Sequence, residues 1–160
     1  MANPAVTRIE INESMKLANR ETCDKIFQII GKSYDVINYY HRGLQESAYH
    51  AALAWEMRQL PYHVQLEECF HQYYKGVKLD KTYRMDLVVD DILVELKAKE
   101  CITSEHRLQL FNYMRLVNMT YGLLINFGVD HVDAERYYYD QKSNKILLID
   151  KDGNQVYSDK

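Results

Sequence analysis

The chain has 160 residues, 47% hydrophobic and 27% charged, with two prolines and six glycines, the balance of one globular domain over 1–160 and too short for two ordinary cores. A net charge of −3 excludes a histone-like basic binder of nucleic acid but not an enzyme whose own site is acidic. No apolar run approaches the roughly 20 residues that cross a bilayer, and the opening MANPAVTRIEINESMKLANR has no signal-peptide core, so a soluble cytoplasmic protein with no membrane partner is expected.

From Thr22 to about Tyr40, Ile26, Ile29, Ile30, Tyr34, Val36, Ile37 and Tyr40 recur at helical spacing, with Thr22 placed to cap the start. Gly43 interrupts the pattern. A second helix follows from about Gln45 to Leu60, with Tyr49, Leu53 and Met57 beside a row of Ala48, Ala52, Trp55 and Gln59, and Pro61 stops it. From His63 to Lys99 the pattern turns to short β-type runs that fit three or four antiparallel strands. Ser104 stands where a third helix to about Asn118 would be capped. The nearly all-apolar YGLLINFG (121–128) predicts a strand buried on both faces. ERYYYD, a turn at Lys142-Ser143-Asn144, KILLID and a turn at Asp152-Gly153 predict a C-terminal hairpin extension over about 134–157. The fold class is α+β: a mixed sheet flanked by helices.

Cys23, Cys69 and Cys101 are odd in number and widely spaced, which reads as reduced thiols serving as small apolar fillers. Fourteen tyrosines, clustered at Tyr39-Tyr40, Tyr73-Tyr74 and Tyr137-Tyr138-Tyr139, suit exposed β-structure or the contact of a homodimer.

Residues 84–98, RMDLVVDDILVELKA, carry the most information. If Asp90-Asp91 is a two-residue turn, residues whose numbers sum to 181 face each other, and Asp86 lies across from Glu95. Alternation then gathers Met85, Leu87, Val89, Ile92, Val94, Leu96 and Ala98 on one apolar face, with Arg84, Asp86, Glu95 and Lys97 on the other. Carboxylates directly opposite one another repel, and a hard divalent cation such as Mg²⁺ or Mn²⁺ would offset the repulsion. Lys97 would then act on an attacking water and on charge developing at a phosphate. The same residues also describe an ordinary hairpin with one solvated, charge-paired face.

Asp86 and Glu95-x-Lys97 on a hairpin resemble the PD-(D/E)XK nuclease superfamily, and Gly43-x-x-Glu46-x-x-Tyr49 resembles its GxxExxY family. The likeness extends through Tyr74-Lys75-Gly76, Arg84-x-Asp86-Leu87, Val94 to Ala98, Gln109-x-x-x-Tyr113 and Leu124 to Phe127, a core of about residues 22–128. Two departures stand out: Met85 takes the place of a proline before the Asp, and His41-Arg42 precedes Gly43 where relatives often have another glycine. The resemblance implies a restriction-endonuclease-like core and hydrolysis of phosphodiester bonds in nucleic acid, DNA rather than RNA, leaving a 5′-phosphate. It implies Mg²⁺ or Mn²⁺ held by Asp86, Glu95 and the Leu96 carbonyl, with Glu46 added from the preceding helix, Lys97 as the catalytic lysine, and Gln109 and Tyr113 touching substrate. A catalytically silent binding or assembly module of the same fold is the alternative.

Spacing puts Gln109 and Tyr113 on one helix face. Glu46 also suits a helix start for purely electrostatic reasons. His106 is a candidate phosphate contact or a packing residue. Lys75, Lys78, Lys81 and Arg84 form a basic string, either candidates for backbone phosphate contacts or a solvated face.

Overall fold

The computed structural model describes residues 15–157; the reading of the opening segment falls mostly on residues 1–14, outside the described residues. Helix α1 (Arg20–Tyr40) is followed by α2 (Glu46–Arg58), strands β1 (Val64–Leu66), β2 (Cys69–Tyr74), β3 (Val77–Arg84), β4 (Leu87–Val89) and β5 (Ile92–Lys97), helix α3 (Ser104–Leu116), and strands β6 (Tyr121–Asn126), β7 (Asp133–Asp140) and β8 (Lys145–Ile149). The main sheet has the order β1-β4-β5-β6-β7-β8. β5 and β6 run parallel across the α3 crossover, and every other pair in that sheet is antiparallel. The sheet is therefore mixed, as an α+β reading requires.

Two apolar layers hold it. Leu87, Val89, Ile92, Val94, Leu96, Leu123 and Ile125 pack with Ile29, Val36 and Ile37 of α1 and Leu53 and Met57 of α2. On the opposite face, Val88, Leu93, Leu124 and Tyr137 pack with Leu110 and Met114 of α3. Covered on both sides, β5 is buried at all six positions, and β6 is nearly so. Among the described residues no helix is long and apolar enough to cross a membrane.

Several expectations change. The run from His63 to Lys99 is not one meander: β2 and β3 form a separate two-stranded ribbon. Met85 does not share a face with Leu87, because the chain bends at Asp86 between β3 and β4 and turns Met85 toward the α3 side. The polar face of the β4–β5 hairpin is not solvated either, since Glu95 and Lys97 are buried.

The caps sit one residue or more earlier than expected. Asn19, a stronger cap than Thr, accepts from the Thr22 amide at 2.9 Å. Thr103 caps α3, and His106 completes a capping box by accepting from the Thr103 amide at 3.1 Å, which gives His106 a structural task. Cys69 and Cys101 are exposed rather than core fillers, and Cys23 is half-buried. Tyr39 and Tyr40 end α1, as the helical spacing to about Tyr40 predicts, so of the tyrosine clusters this one is not β-structure. The β7–β8 hairpin forms as expected. Beyond it, the Asp152-Gly153 turn folds onto the start of α1, where the Leu17 amide donates to the Gly153 carbonyl at 2.7 Å.

Candidate active site

The β4–β5 register is the one that a two-residue turn dictates: Val89 pairs with Ile92, Val88 with Leu93 and Leu87 with Val94. Asp90 turns the corner at φ 51°, a left-handed conformation that Asp tolerates better than most side chains. Two neighbours hold it there. Lys25 of α1 lies 3.0 Å from carboxylate oxygens of both Asp90 and Asp91, and the His63 amide donates to Asp90 Oδ1 at 2.8 Å. Burial disfavours the Lys25 charge, yet these carboxylates outweigh it and raise its pKa.

Asp86 stands one residue outside β4, just beyond the last paired position Leu87–Val94, and its carboxylate interacts with that of Glu95. Its Oδ2 accepts from the Leu96 amide at 3.3 Å. Glu95 is 1% exposed. Lys97, 8% exposed, donates from Nζ to Glu95 Oε1 at 3.2 Å and to Gln109 Oε1 on α3 at 2.8 Å. Burial, and after it the Asp86 carboxylate, push the Glu95 carboxyl up to about 8, against the opposing pull of Lys97. Gln109 thus reaches the β5 cluster. Tyr113, one turn on, packs instead beside Tyr83 of the ribbon, ring centroids 6.4 Å apart.

Glu46 opens α2, and its Oε2 is buried with no hydrogen-bond partner. One helical turn later comes a residue that sequence reasoning missed. His50 is buried, with Nε2 3.5 Å from Asp86 Oδ2 and Nδ1 4.0 Å from Glu67 Oε1. Its only signal was the i,i+4 spacing from Glu46, which shares the inward face of α2. Among the described residues, five buried side-chain nitrogen or oxygen atoms lack a hydrogen-bond partner, and four of them are Glu46 Oε2, both ring nitrogens of His50 and Glu95 Oε2. Leaving such atoms unpaired costs about 1–3 kcal/mol each. Of these residues, His50 faces Asp86 at 3.5 Å and Glu95 is the carboxylate that Asp86 repels.

Gly43-x-x-Glu46-x-x-Tyr49 acquires a physical meaning. Gly43 turns the chain at φ 109°, a conformation suited to glycine. The Tyr49 hydroxyl donates to the His41 carbonyl at 2.7 Å and accepts from the Leu44 amide at 3.1 Å, while its ring stacks on Phe127. The α1–α2 corner is thereby fastened to the chain just past β6, and the side chain of His50 and one Glu46 oxygen are buried. Asn126, fully buried, bonds the Lys99 amide and carbonyl and so holds the chain as it leaves Lys97.

Among the described residues no group of three or more His, Cys, Asp or Glu side chains is preassembled to hold a metal ion, so Glu46 does not form a ready-made trio with Asp86 and Glu95. The donor set still fits a hard cation that retains its water: Asp86, Glu95 with one oxygen unpartnered, and main-chain carbonyls are all oxygen donors.

A mixed sheet between helix layers, with an acidic pair and a lysine on one of its hairpins, is the α+β architecture of a restriction-endonuclease-like core. Residues 24–137 match the family model of the PD-(D/E)XK nuclease superfamily, and the chain belongs to that superfamily. The crystal structure of SSO0001 superposes with a TM-score of 0.42 at 18% identity, over 76% of this chain and 62% of that one. No curated protein matches the chain.

Proposed function

We propose that this superfamily member is a metal-dependent nuclease of the GxxExxY type, one domain spanning the chain, which hydrolyses phosphodiester bonds of DNA in preference to RNA and leaves a 5′-phosphate. The observation that carries the reading is the buried Glu95 oxygen left without a hydrogen-bond partner beside Asp86, with His50 of α2 3.5 Å from the same Asp86 carboxylate. In this reading Asp86, Glu95 and the Leu96 carbonyl hold Mg²⁺ or Mn²⁺, and Glu46 reaches it from α2 through water. A bound divalent cation would neutralise charge on the phosphoryl group and lower the pKa of a water.

The protein's own residues do the rest. Leu96 directs its amide to Asp86, and the carbonyl of a strand residue lies on the same edge as its amide, facing the site. An ammonium has three N–H donors. Glu95 and Gln109 take two of those on Lys97, and the third can be directed at the attacking water or a phosphate oxygen. Gln109 keeps the Lys97 ammonium in place, and Tyr113 acts at the rim, where it lies beside Tyr83.

The test is cleavage of linear, circular and single-stranded DNA and of RNA by purified protein with Mg²⁺ or Mn²⁺. DNA is cut, and Lys97→Ala lowers the rate on the order of a hundredfold or more. If the wild type cuts none of these substrates but binds them, the silent-module alternative is right; if Lys97→Ala cuts as fast as wild type, the assignment of Lys97 is wrong.

A further inference from the structure

The β2–β3 ribbon does little for the cores. It stands outside the main sheet, and of its side chains only Phe70 and Tyr83 reach the layer beneath α3. A two-stranded ribbon is marginal by itself, yet this one is well formed. Tyr74 pairs with Val77 across Lys75 (φ 48°) and Gly76 (φ 77°), a two-residue turn with both central residues left-handed, which matches the twist of the strands. A register shift between His71 and Tyr73 bends it, and the His71 ring occupies the gap by bonding the Leu79 carbonyl at 2.8 Å.

Its charge runs against that of the whole chain. Between Cys69 and Arg84 lie four cations, Lys75, Lys78, Lys81 and Arg84, and one anion, Asp80, in a protein of net charge −3. Arg20, Lys25 and Lys32 on α1 each lie within 4 Å of a carboxylate. Among the described residues none of the four ribbon cations does; Lys75 and Lys81 lie instead over the rings of Tyr74 and Tyr83, each 5.4 Å from the centroid. Unpaired cations interleaved with exposed tyrosines are the chemistry that tracks a phosphate backbone and stacks on bases.

The ribbon is also aimed. Its root pair is Cys69 and Arg84, and Arg84 is two residues before Asp86. At about 3.3 Å per residue, the five steps along β2 from Cys69 to Tyr74 carry the tip roughly 17 Å from that root, enough to reach more than one phosphate.

We infer that the β2–β3 ribbon is a nucleic-acid arm: it holds the phosphodiester backbone of the substrate and leads it to Asp86, Glu95 and Lys97. The partner is a nucleic-acid polyanion, an assignment that rests on the nuclease reading only for what happens to the bound strand. Binding is dominated by phosphate contacts, not base edges, so it is tolerant of sequence and steep in salt.

The experiment compares wild type with Lys75→Ala/Lys78→Ala/Lys81→Ala by fluorescence anisotropy, using labelled duplex and single-stranded DNA in EDTA over a range of NaCl. The variant should bind on the order of tenfold or more weakly at low salt, and the slope of log affinity against log salt should fall by about 2–3, near one per lost phosphate contact. Lys→Arg at the same three positions should retain the wild-type slope. Hydrolysis of bis(p-nitrophenyl) phosphate with Mn²⁺, a substrate too small to touch the arm, should be equal in wild type and variant. An unchanged affinity and slope in the alanine variant would overturn the arm, as would failure of the wild type to bind either DNA. A reduced slope in a protein that hydrolyses no phosphodiester would leave the arm standing and remove the nuclease reading.

Discussion

Helix α3 reaches two charged clusters, and they differ in one respect. On β7, Arg107 of α3 meets Glu135 through two bonds of 2.8 and 2.6 Å, and the Tyr137 hydroxyl donates to the same carboxylate. Burial alone would raise the Glu135 pKa, but the Arg107 and Tyr137 hydrogen bonds outweigh it and hold the carboxyl below its ordinary value. The same bonding raises the Arg107 pKa, Glu135 being its largest cause. On β5, Glu95 is more deeply buried, faces another carboxylate and keeps one oxygen unpartnered, and its pKa moves the opposite way. The first cluster satisfies its half-buried carboxylate within the polypeptide. The second leaves one buried oxygen of Glu95 without a hydrogen-bond partner.

The largest effect that can test this contrast is on stability. Glu135→Ala strands the Arg107 guanidinium and should cost about 1.5–3 kcal/mol in urea unfolding, with cleavage unchanged at temperatures where the variant is folded. Glu95→Gln should leave the metal-free protein at least as stable as wild type, because the amide keeps an acceptor for Lys97 and replaces a carboxyl whose ionisation burial and Asp86 already disfavour. A Glu95→Gln variant that unfolds as readily as Glu135→Ala would dissolve the distinction.

A smaller effect appears with pH. Because the folded Glu135 pKa is depressed, its stabilisation is present above the unfolded carboxyl value of about 4.3 and is lost as pH falls through the lower folded value. Urea midpoints measured from about pH 6 down to about pH 3 should therefore fall less steeply in Glu135→Ala than in wild type. Parallel curves would mean that the Arg107 pair contributes nothing to acid sensitivity.

The hairpin was legible because a two-residue turn and period-2 alternation leave a single register, and Leu87 opposite Val94 followed from arithmetic alone. The burial of Glu95 and Lys97 was not legible. It comes from α3 and the parallel strand β6, which are separated from β5 in sequence and joined to it only in the fold. Met85 escaped because alternation holds within a strand and fails at a bend. His50 escaped because a lone histidine on an apolar helix face gives no sign of what it will meet; only packing against β4 brings it to Asp86. The ribbon's separation from the sheet was hidden for a related reason, since β2 and β3 have the same local pattern as strands that stay.

Titration of the metal-free protein with Mn²⁺ by calorimetry is the most direct test, with wild type, Asp86→Asn and Glu95→Gln compared at one pH and salt concentration. If the Asp86–Glu95 pair on the β4–β5 hairpin holds a divalent cation, the wild type binds Mn²⁺ and each variant, having lost one charged oxygen ligand from a site with few, binds it on the order of tenfold or more weakly. Equal affinity in all three proteins would contradict the account at its centre.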